Sequence, residues 1–171
     1  MNSHAVGTVG GVEIRRATLA DIDEILAVLG AVADEGRWLA TGSAPDFISR
    51  RERFENSVVR DDMGMFVAVA QAQIVGEISI MPENTGVYAI GMAVAGAWRG
   101  RGVGSQLLSA GIEWARARGA HKIYLEVFPH NAAALALYEK FGFKREGVRS
   151  KHYRRENGEL WDSIMMGLVF E

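Results

Sequence analysis

The sequence predicts an α/β (α+β) fold in which a mixed sheet of about seven strands carries about four helices on its faces. Three observations predict it. Segments with the alternation or the apolar continuity of strands recur along the chain, other segments keep an apolar face at the helical period, and the two kinds follow the order β-α-α-β-β-β-α-β-α-β-β. A chain of 171 residues is long enough for one compact domain, which at this size buries roughly 70% of its unfolded surface. Residues 12–170 contain no internal repeat, low-complexity run or linker, so they are read as a single domain. The small, Gly-rich stretch 1–11 reads as a flexible N-terminal tail.

Val12–Ala17 alternates apolar and charged residues, as a half-buried strand does. Thr18 and Asp21 signal a helix start close to a capping box. Ile22, Ile25, Leu26, Leu29, Val32 and Ala33 then keep one face apolar, and Gly36 ends the helix. Gly42-Ser43-Ala44-Pro45 is the next punctuation, with Pro45 suited to a first helical position. A more polar helix follows through Phe47, Arg51 and Phe54 to about Val59.

Met65–Ala70 and Ile74–Met81 are strands joined by Gln71-Ala72-Gln73, and Val87–Ala95 is a fourth. Gly91 inside that strand suggests a bulge or a close approach by another stretch of backbone. After Gly100–Gly104 comes a helix with Leu107, Leu108, Ile112 and Ala115 inward and Gly119 at its C-terminal cap. Lys122–Phe128 is nearly continuous in apolar character, which places it centrally. Asn131 opens a helix through Phe141 that Gly142 ends. Phe143–Arg155 and Glu159–Phe170 flank Asn157-Gly158, a hairpin-turn signal.

Composition narrows the function classes. The residues are 49% hydrophobic and 23% charged with a net charge of −2, a balance with no global pull toward nucleic acid or anionic membrane. There is no cysteine, hence no disulfide, thiol nucleophile or zinc–thiolate site. His4, His121, His130 and His152 show no paired ligand spacing, so no metal is expected. No apolar run approaches the ~18 residues of a membrane helix, and the first residues lack the pattern of a secretory signal. The expectation is a cytoplasmic protein.

Chemistry concentrates in Arg99-Gly100-Arg101-Gly102-Val103-Gly104-Ser105, between a strand and a helix. Backbone N–H groups in such a turn point one way, and the following helix adds its positive end, so phosphate is the natural guest. Arg99 and Arg101 add charge. The plain alternative is a turn with no ligand, but three glycines in five residues exceed what a turn requires. The run is not a Walker A loop, since Ser105-Gln106 follows Gly104 where Lys-Ser/Thr is needed. It is not the dinucleotide fingerprint either, whose third glycine would fall on Leu107 or Ser105.

Arg99-x-x-Gly102-x-Gly104 after the fourth strand resembles the signature of the GNAT superfamily of acetyl-CoA-dependent N-acetyltransferases. A second segment resembles that family too: Asn131 opens a helix that carries Tyr138 and ends in Gly142-Phe143, with Asn131 and Tyr138 seven apart and so on one face. The resemblance covers about residues 12–170 and is weakest over 31–60. It implies a mostly antiparallel sheet with acetyl-CoA, as acyl-donor cosubstrate, in a wedge between the fourth and fifth strands. It assigns the backbone of Met92, Ala93 and Val94 to the pantetheine arm and thioester oxygen. Arg99, Gly100, Arg101, Gly102, Val103, Gly104 and Ser105 would take the pyrophosphate, Asn131 the pantetheine, and Tyr138 would protonate the departing thiolate. The bland readings are a core tyrosine and a plain N-cap.

An amine must lose a proton before attacking a thioester. Many relatives use a Glu on the fourth strand, where this chain has Tyr88-Ala89-Ile90. Glu126 is the best substitute, acting through water, and Glu77 is next; either would otherwise be a paired or solvent-facing strand carboxylate. Trp38, Phe47 and Tyr153 are candidate walls of the acceptor site. The basic stretch Lys144, Arg145, Arg149, Lys151, Arg154 and Arg155 is by default a solvated hairpin. The resulting expectation is direct acetyl transfer to a primary amine of a small molecule or amino acid, or to a peptide N-terminus, with no nucleic-acid or membrane partner and a homodimer left open. A non-catalytic acyl-CoA-binding module on the same fold is the rival.

Overall fold

The computed structural model describes residues 5–40 and 47–170. The expected strands are β2 (Val12–Arg16), β3 (Gly64–Ala70), β4 (Gln73–Asn84), β5 (Val87–Val94), β6 (Lys122–Val127), β7 (Lys144–Arg154) and β8 (Leu160–Val169). An additional edge strand, β1 (Ala5–Val9), precedes them. The flexible-tail reading of residues 1–11 is corrected here: residues 5–9 pair with β2 around Gly10-Gly11, both with positive φ. Two such residues in succession make the primed turn whose twist matches a hairpin. The small side chains of the stretch conceal that signal from composition. The Pro45 reading falls outside the described residues.

The sheet order is β1-β2-β3-β4-β5-β6-β8-β7. Every neighbouring pair is antiparallel except β5 and β6. That parallel pair holds together only where Val87–Ala89 meets Lys122–Tyr124. Beyond it the strands part.

Among the described residues, four α-helices cover the two faces. On one side α1 (Ile22–Asp34) and α2 (Phe47–Val59) lie over the sheet. Ile22, Ile25, Leu29 and Val32 of α1 pack with Phe54 of α2 against Met65, Val67 and Ala93. On the other side lie α3 (Val103–Ala117) and α4 (Ala132–Lys140). Leu107, Leu108, Ala115 and Leu135 pack there against Phe66, Ile78, Ile80 and Ile123. Strand alternation separates the two cores, because Met65 and Val67 point one way and Phe66 and Ala68 the other.

Thr18 and Asp21 form a capping box on the 3-10 turn Leu19–Asp21 that leads into α1, and Arg15 adds two bonds of 2.8 Å to the Asp21 carboxylate. These donors hold the Asp21 pKa down at about 2. Gly91 makes no bulge: the β4–β5 register runs straight through Ser79 and Gly91, and its irregularity lies between Pro82 and Asn84. No backbone crowds it either: a Cβ on Gly91 would stand 3.3 Å from the Ser79 hydroxyl oxygen, a side-chain neighbour, among the described residues.

Candidate active site

Where β5 leaves β6, the backbone of Ile90–Val94 keeps β4 as its partner but has no ladder partner on its other edge. Leu125–Val127 of β6 pairs only with β8 over the same stretch. The gap is a cleft of about 520 Å³, within the size range of small-molecule sites. Gly91–Val94 and Leu125–Val127 form its strand walls, and Asn131, Ala133, Ala134, Leu137 and Tyr138 form its helical wall.

The glycine turn closes one end. Gly102 is the N-cap of α3 with φ of 81°, a left-handed conformation that a β-carbon makes costly. No side chain caps this helix end, so the N–H groups of its first turn are open to a ligand. Their partial positive charge suits an anion. Gly104 does a different job: a Cβ there would lie 3.2 Å from Leu137 Cδ2 and 3.6 Å from Met92 Cε, so the bare glycine lets α3, α4 and β5 converge.

Five of the seven residues singled out in this turn line the cleft, namely Arg99, Gly100, Gly102, Gly104 and Ser105. Two do not. Val103 is 1% exposed and packs in the core, and the Arg101 guanidinium lies 5.1 Å from the Trp98 ring centre. Arg99 is held by Glu35, one carboxylate oxygen to each terminal nitrogen at 2.7 Å, and its Nε donates to the Val94 carbonyl at 3.0 Å. The Glu35 pKa is lowered, first by that hydrogen bonding from Arg99.

Tyr138 sits on the cleft side of α4, 8% exposed. Its ring packs on Phe143 with centres 5.7 Å apart. Among the described residues its hydroxyl has no hydrogen-bond partner. Burial, with a smaller contribution from the Glu77 charge, pushes its pKa up to about 12, so it carries its proton at neutral pH. Asn131 caps α4, its Oδ1 accepting from the Ala134 N–H at 3.2 Å.

Glu126 stands on the opposite wall. Its Oε2 accepts from the Tyr153 hydroxyl at 3.0 Å and from the Ser163 hydroxyl at 2.8 Å, and its Oε1 lies 3.1 Å from Arg149 Nη1. Glu126 borders both the cleft and a second, smaller cavity walled by Trp38, Phe128 and Tyr153. Glu77 does not line the cleft. It is 2% exposed, opposite Ala93 in the ladder, and its Oε2 has no hydrogen-bond partner among the described residues. Burial pushes its pKa up to about 8 against the opposing pull of Arg50, Arg53 and the Ala93 backbone N–H.

Trp38 and Tyr153 therefore meet at the site, while the Phe47 side chain lies outside what the structure describes. The basic stretch is not uniformly solvated. Arg149 holds Glu126, and Arg155 donates to the carbonyls of Gly36, Leu39 and Ala40. Phe128, Ser163 and Glu35 are site neighbours that the sequence does not announce, because no local pattern links them to the two motifs. No group of His, Asp or Glu arranged to hold a metal exists among the described residues, nor does any helix of theirs have the length and apolarity to cross a membrane.

Residues 32–143 match the model of the acetyltransferase (GNAT) family. The chain belongs to this family. A GNAT relative, the L-amino acid N-acetyltransferase AaaT of Escherichia coli, is 35% identical over 118 residues, covering 64% of this chain and 70% of that protein. Three further relatives are matched over less than half of their own length, whereas a ribosomal protein bS18-alanine N-acetyltransferase of Salmonella typhimurium, 32% identical, is matched over 76% of its length. The crystal structure of a ribosomal-protein-alanine N-acetyltransferase from Brucella melitensis superposes with a TM-score of 0.84 at 28% identity, covering 92% of this chain and 99% of that one. At 21% identity, an acetyltransferase from Salmonella typhimurium solved with acetyl-CoA shares the fold, with a TM-score of 0.82 and 95% of each chain covered. Within this GNAT frame the chain carries Tyr88-Ala89-Ile90 on β5 with no carboxylate among them, and Glu126 is the acidic residue that reaches the cleft wall.

Proposed function

We propose that the protein transfers an acetyl group from acetyl-CoA directly to a primary amine of a small molecule, an amino acid or a peptide N-terminus. One observation carries this reading. Among the described residues, a single cleft joins a helix N-terminus with no side-chain cap, a strand edge with no ladder partner, a tyrosine hydroxyl with no hydrogen-bond partner, and a carboxylate.

The parts suit the donor in order along the cleft. The N–H groups from Gly100 to Ser105, with Arg99 beside them, take the pyrophosphate. The open edge of β5 at Met92, Ala93 and Val94 pairs with the amide groups of the pantetheine arm as a further strand would. Asn131 and the small Ala133 and Ala134 let that arm lie against α4.

The chemistry follows from where the acids sit. The amine nitrogen attacks the thioester carbon while its proton passes to Glu126 through water. As the carbon–sulfur bond breaks, the Tyr138 hydroxyl gives its proton to the sulfur. A phenol with a pKa raised to about 12 is protonated when needed, and a hydroxyl with no partner among the described residues is free to donate. Without a cysteine no thiol acyl-enzyme can form, and direct attack is the economical route. The named relatives that act on L-amino acids and on a ribosomal-protein alanine agree with an amine acceptor.

Thiol release from acetyl-CoA, followed with free amino acids, polyamines, aminoglycosides and peptide N-termini, tests the reading. Amine-dependent release is expected. Tight acetyl-CoA binding with no release for any amine would leave the protein a binding module.

A further inference from the structure

Gly91 is a glycine that no contact among the described residues requires. It lies in the middle of β5, where a glycine loosens the strand and leaves nothing to pack. The β4–β5 register passes through it without a bulge, and its φ is not positive, so its backbone suits any residue. Among the described residues, a Cβ there would meet one heavy atom within 4 Å beyond its chain neighbours, the Ser79 hydroxyl oxygen at 3.3 Å. That hydroxyl can rotate away at little cost, since its contact with the Gly91 carbonyl is a long 3.5 Å. With bulge and backbone set aside, the remaining reason for a glycine inside a strand is a ligand that comes close. Gly91 is exposed, and what it is exposed to is the cleft.

We propose that Gly91 is the specificity-determining residue for the acceptor: the carbon that bears the amine, with its substituents, lies against the bare α-carbon of Gly91 on the α1/α2 face of the sheet. The inference rests on the acetyl-transfer reading above.

Strand alternation decides which ligand Gly91 meets. Tyr88, Ile90 and Met92 pack on the α3/α4 side, whereas Ala93 packs on the α1/α2 side. Gly91 therefore turns its bare side toward α1 and α2, in one row with Ser79 and Met65, and Met65 belongs to the same core as Ala93. The groups that suit the donor lie across the strand. Tyr138 packs with the α3/α4 core, and a Cβ on Gly104 would approach the Met92 and Val94 side chains at 3.6 and 4.0 Å. The bare side of Gly91 is thus turned away from the glycine turn and from α4.

Glu126 shares that side. Leu125 and Val127, its neighbours on β6, are in the α3/α4 core, so the Glu126 side chain leaves the strand on the opposite face. The last parallel pair is Ala89 with Tyr124, and two residues further on each strand come Gly91 and Glu126. The two thus stand at corresponding positions of strands that have begun to part, and both line the cleft between them. An amine whose proton passes toward Glu126 arrives on this face, while Tyr138 attends the sulfur from the other. Attack requires the nitrogen within about 3–3.5 Å of the thioester carbon, which brings the next carbon of the acceptor down onto β5. There the strand presents Ala89, Gly91 and Ala93, and Gly91 is the member of the three exposed to the cleft. A side chain at 91 would occupy the place where the acceptor's carbon must lie.

The test compares the wild type with Gly91→Ala and Gly91→Val in three measurements. These are acetyl-CoA affinity by calorimetry, melting temperature, and kcat and KM for the amine turned over fastest among free amino acids, polyamines, aminoglycosides and peptide N-termini. Acetyl-CoA affinity should stay within about twofold of wild type, because the new side chain faces away from the donor. The melting temperature of Gly91→Ala should not fall, since a Cβ on an ordinary backbone restricts the unfolded chain. For the amine, kcat/KM should fall progressively from Ala to Val, by at least ~10-fold in Gly91→Val, with a rise in KM carrying most of the loss. Ser79→Ala/Gly91→Ala removes the hydroxyl nearest the new methyl and should be no faster than Gly91→Ala. If Gly91→Val does not fold, Gly91→Ala decides, with a loss of at least about threefold expected. A folded Gly91→Val with wild-type kcat/KM for the amine overturns the inference. So does a parallel loss of acetyl-CoA affinity, which would put the side chain against the donor, and so does recovery in the double variant, which would make the defect internal to the sheet. Each of these leaves acetyl transfer standing. No acetylation of any amine by the wild type overturns the acetyl-transfer reading, and this inference with it.

Discussion

Tyr153 reaches from β7 across β8 to donate a 3.0 Å hydrogen bond to Glu126 on β6. Ser163, on the intervening strand, donates to the same oxygen at 2.8 Å. Three strands thereby aim one carboxylate at the acceptor side of the cleft.

If Glu126 receives the amine's proton, Glu126→Gln lowers the rate most at low pH, where the acceptor is most protonated. Tyr153→Phe keeps the ring and removes one of the donors that aim the carboxylate, so kcat should fall several-fold. Because the two residues act through one contact, the double variant should be no slower than Glu126→Gln alone. Steady-state kinetics of all three decide it. Additive losses would show that Tyr153 acts independently of Glu126.

Tyr138→Phe deletes a hydroxyl that has no hydrogen-bond partner among the described residues while preserving the ring contact with Phe143. Stability should therefore change little. General acid catalysis is worth ~10²–10⁴-fold, so kcat should drop at least ~10-fold with acetyl-CoA affinity nearly constant. A variant that melts early yet turns over at the wild-type rate would return Tyr138 to the core.

The glycines of the turn should fail in different ways. Gly102→Ala places a β-carbon at φ of 81°, which costs roughly 1–2 kcal/mol of stability. Gly104→Val meets no such strain, but its methyls enter the space between Leu137 and Met92 at the cleft wall. Calorimetry should show acetyl-CoA binding at least ~10-fold weaker, or about 1.4 kcal/mol, with a native far-ultraviolet spectrum. Unchanged affinity in Gly104→Val would sink the placement of the donor in this cleft.

Glu77 makes stability depend on pH. Its pKa is about 8 in the fold against 4.5 for an ordinary Glu, so between those values the native state holds a proton that the unfolded chain has released. The stability this contributes is complete below about pH 4.5 and is lost as pH rises through about 8. Glu77→Gln, which imitates the protonated acid, should show no such loss. Melting curves at pH 5 and pH 9 should find the variant gaining on the wild type by several degrees at the higher pH. A constant gap between the two proteins would mean that Glu77 does not bind that proton.

What the chain discloses by itself is what short-range geometry determines. The face formed by Leu107, Leu108, Ile112 and Ala115, the left-handed glycine at 102, and the cap at Asn131 each depend on residues within a turn or two. Their periods and allowed dihedrals are written locally. The splay of β5 from β6 belongs to this class only through the resemblance to a known family; no residue at 90 or 125 announces it. Gly10-Gly11 shows the local limit, since a glycine pair that follows a stretch of small residues looks like a tail until β1 pairs with β2.

What only the tertiary structure decides is the company each side chain keeps. Glu35 and Arg99 are 64 residues apart, and Glu126 lies 27 and 37 residues from the hydroxyls that orient it. Arg149 and Arg155 read as surface charges until the hairpin folds beside β6 and brings one onto Glu126 and the other onto the backbone at 36–40. A charge or a hydrogen bond acts over a few ångströms of space, irrespective of how much chain separates its partners. The motifs could therefore be read in the line of residues, whereas the acceptor wall, the orientation of Glu126 and the buried state of Glu77 exist only once the sheet and its helices have closed around them.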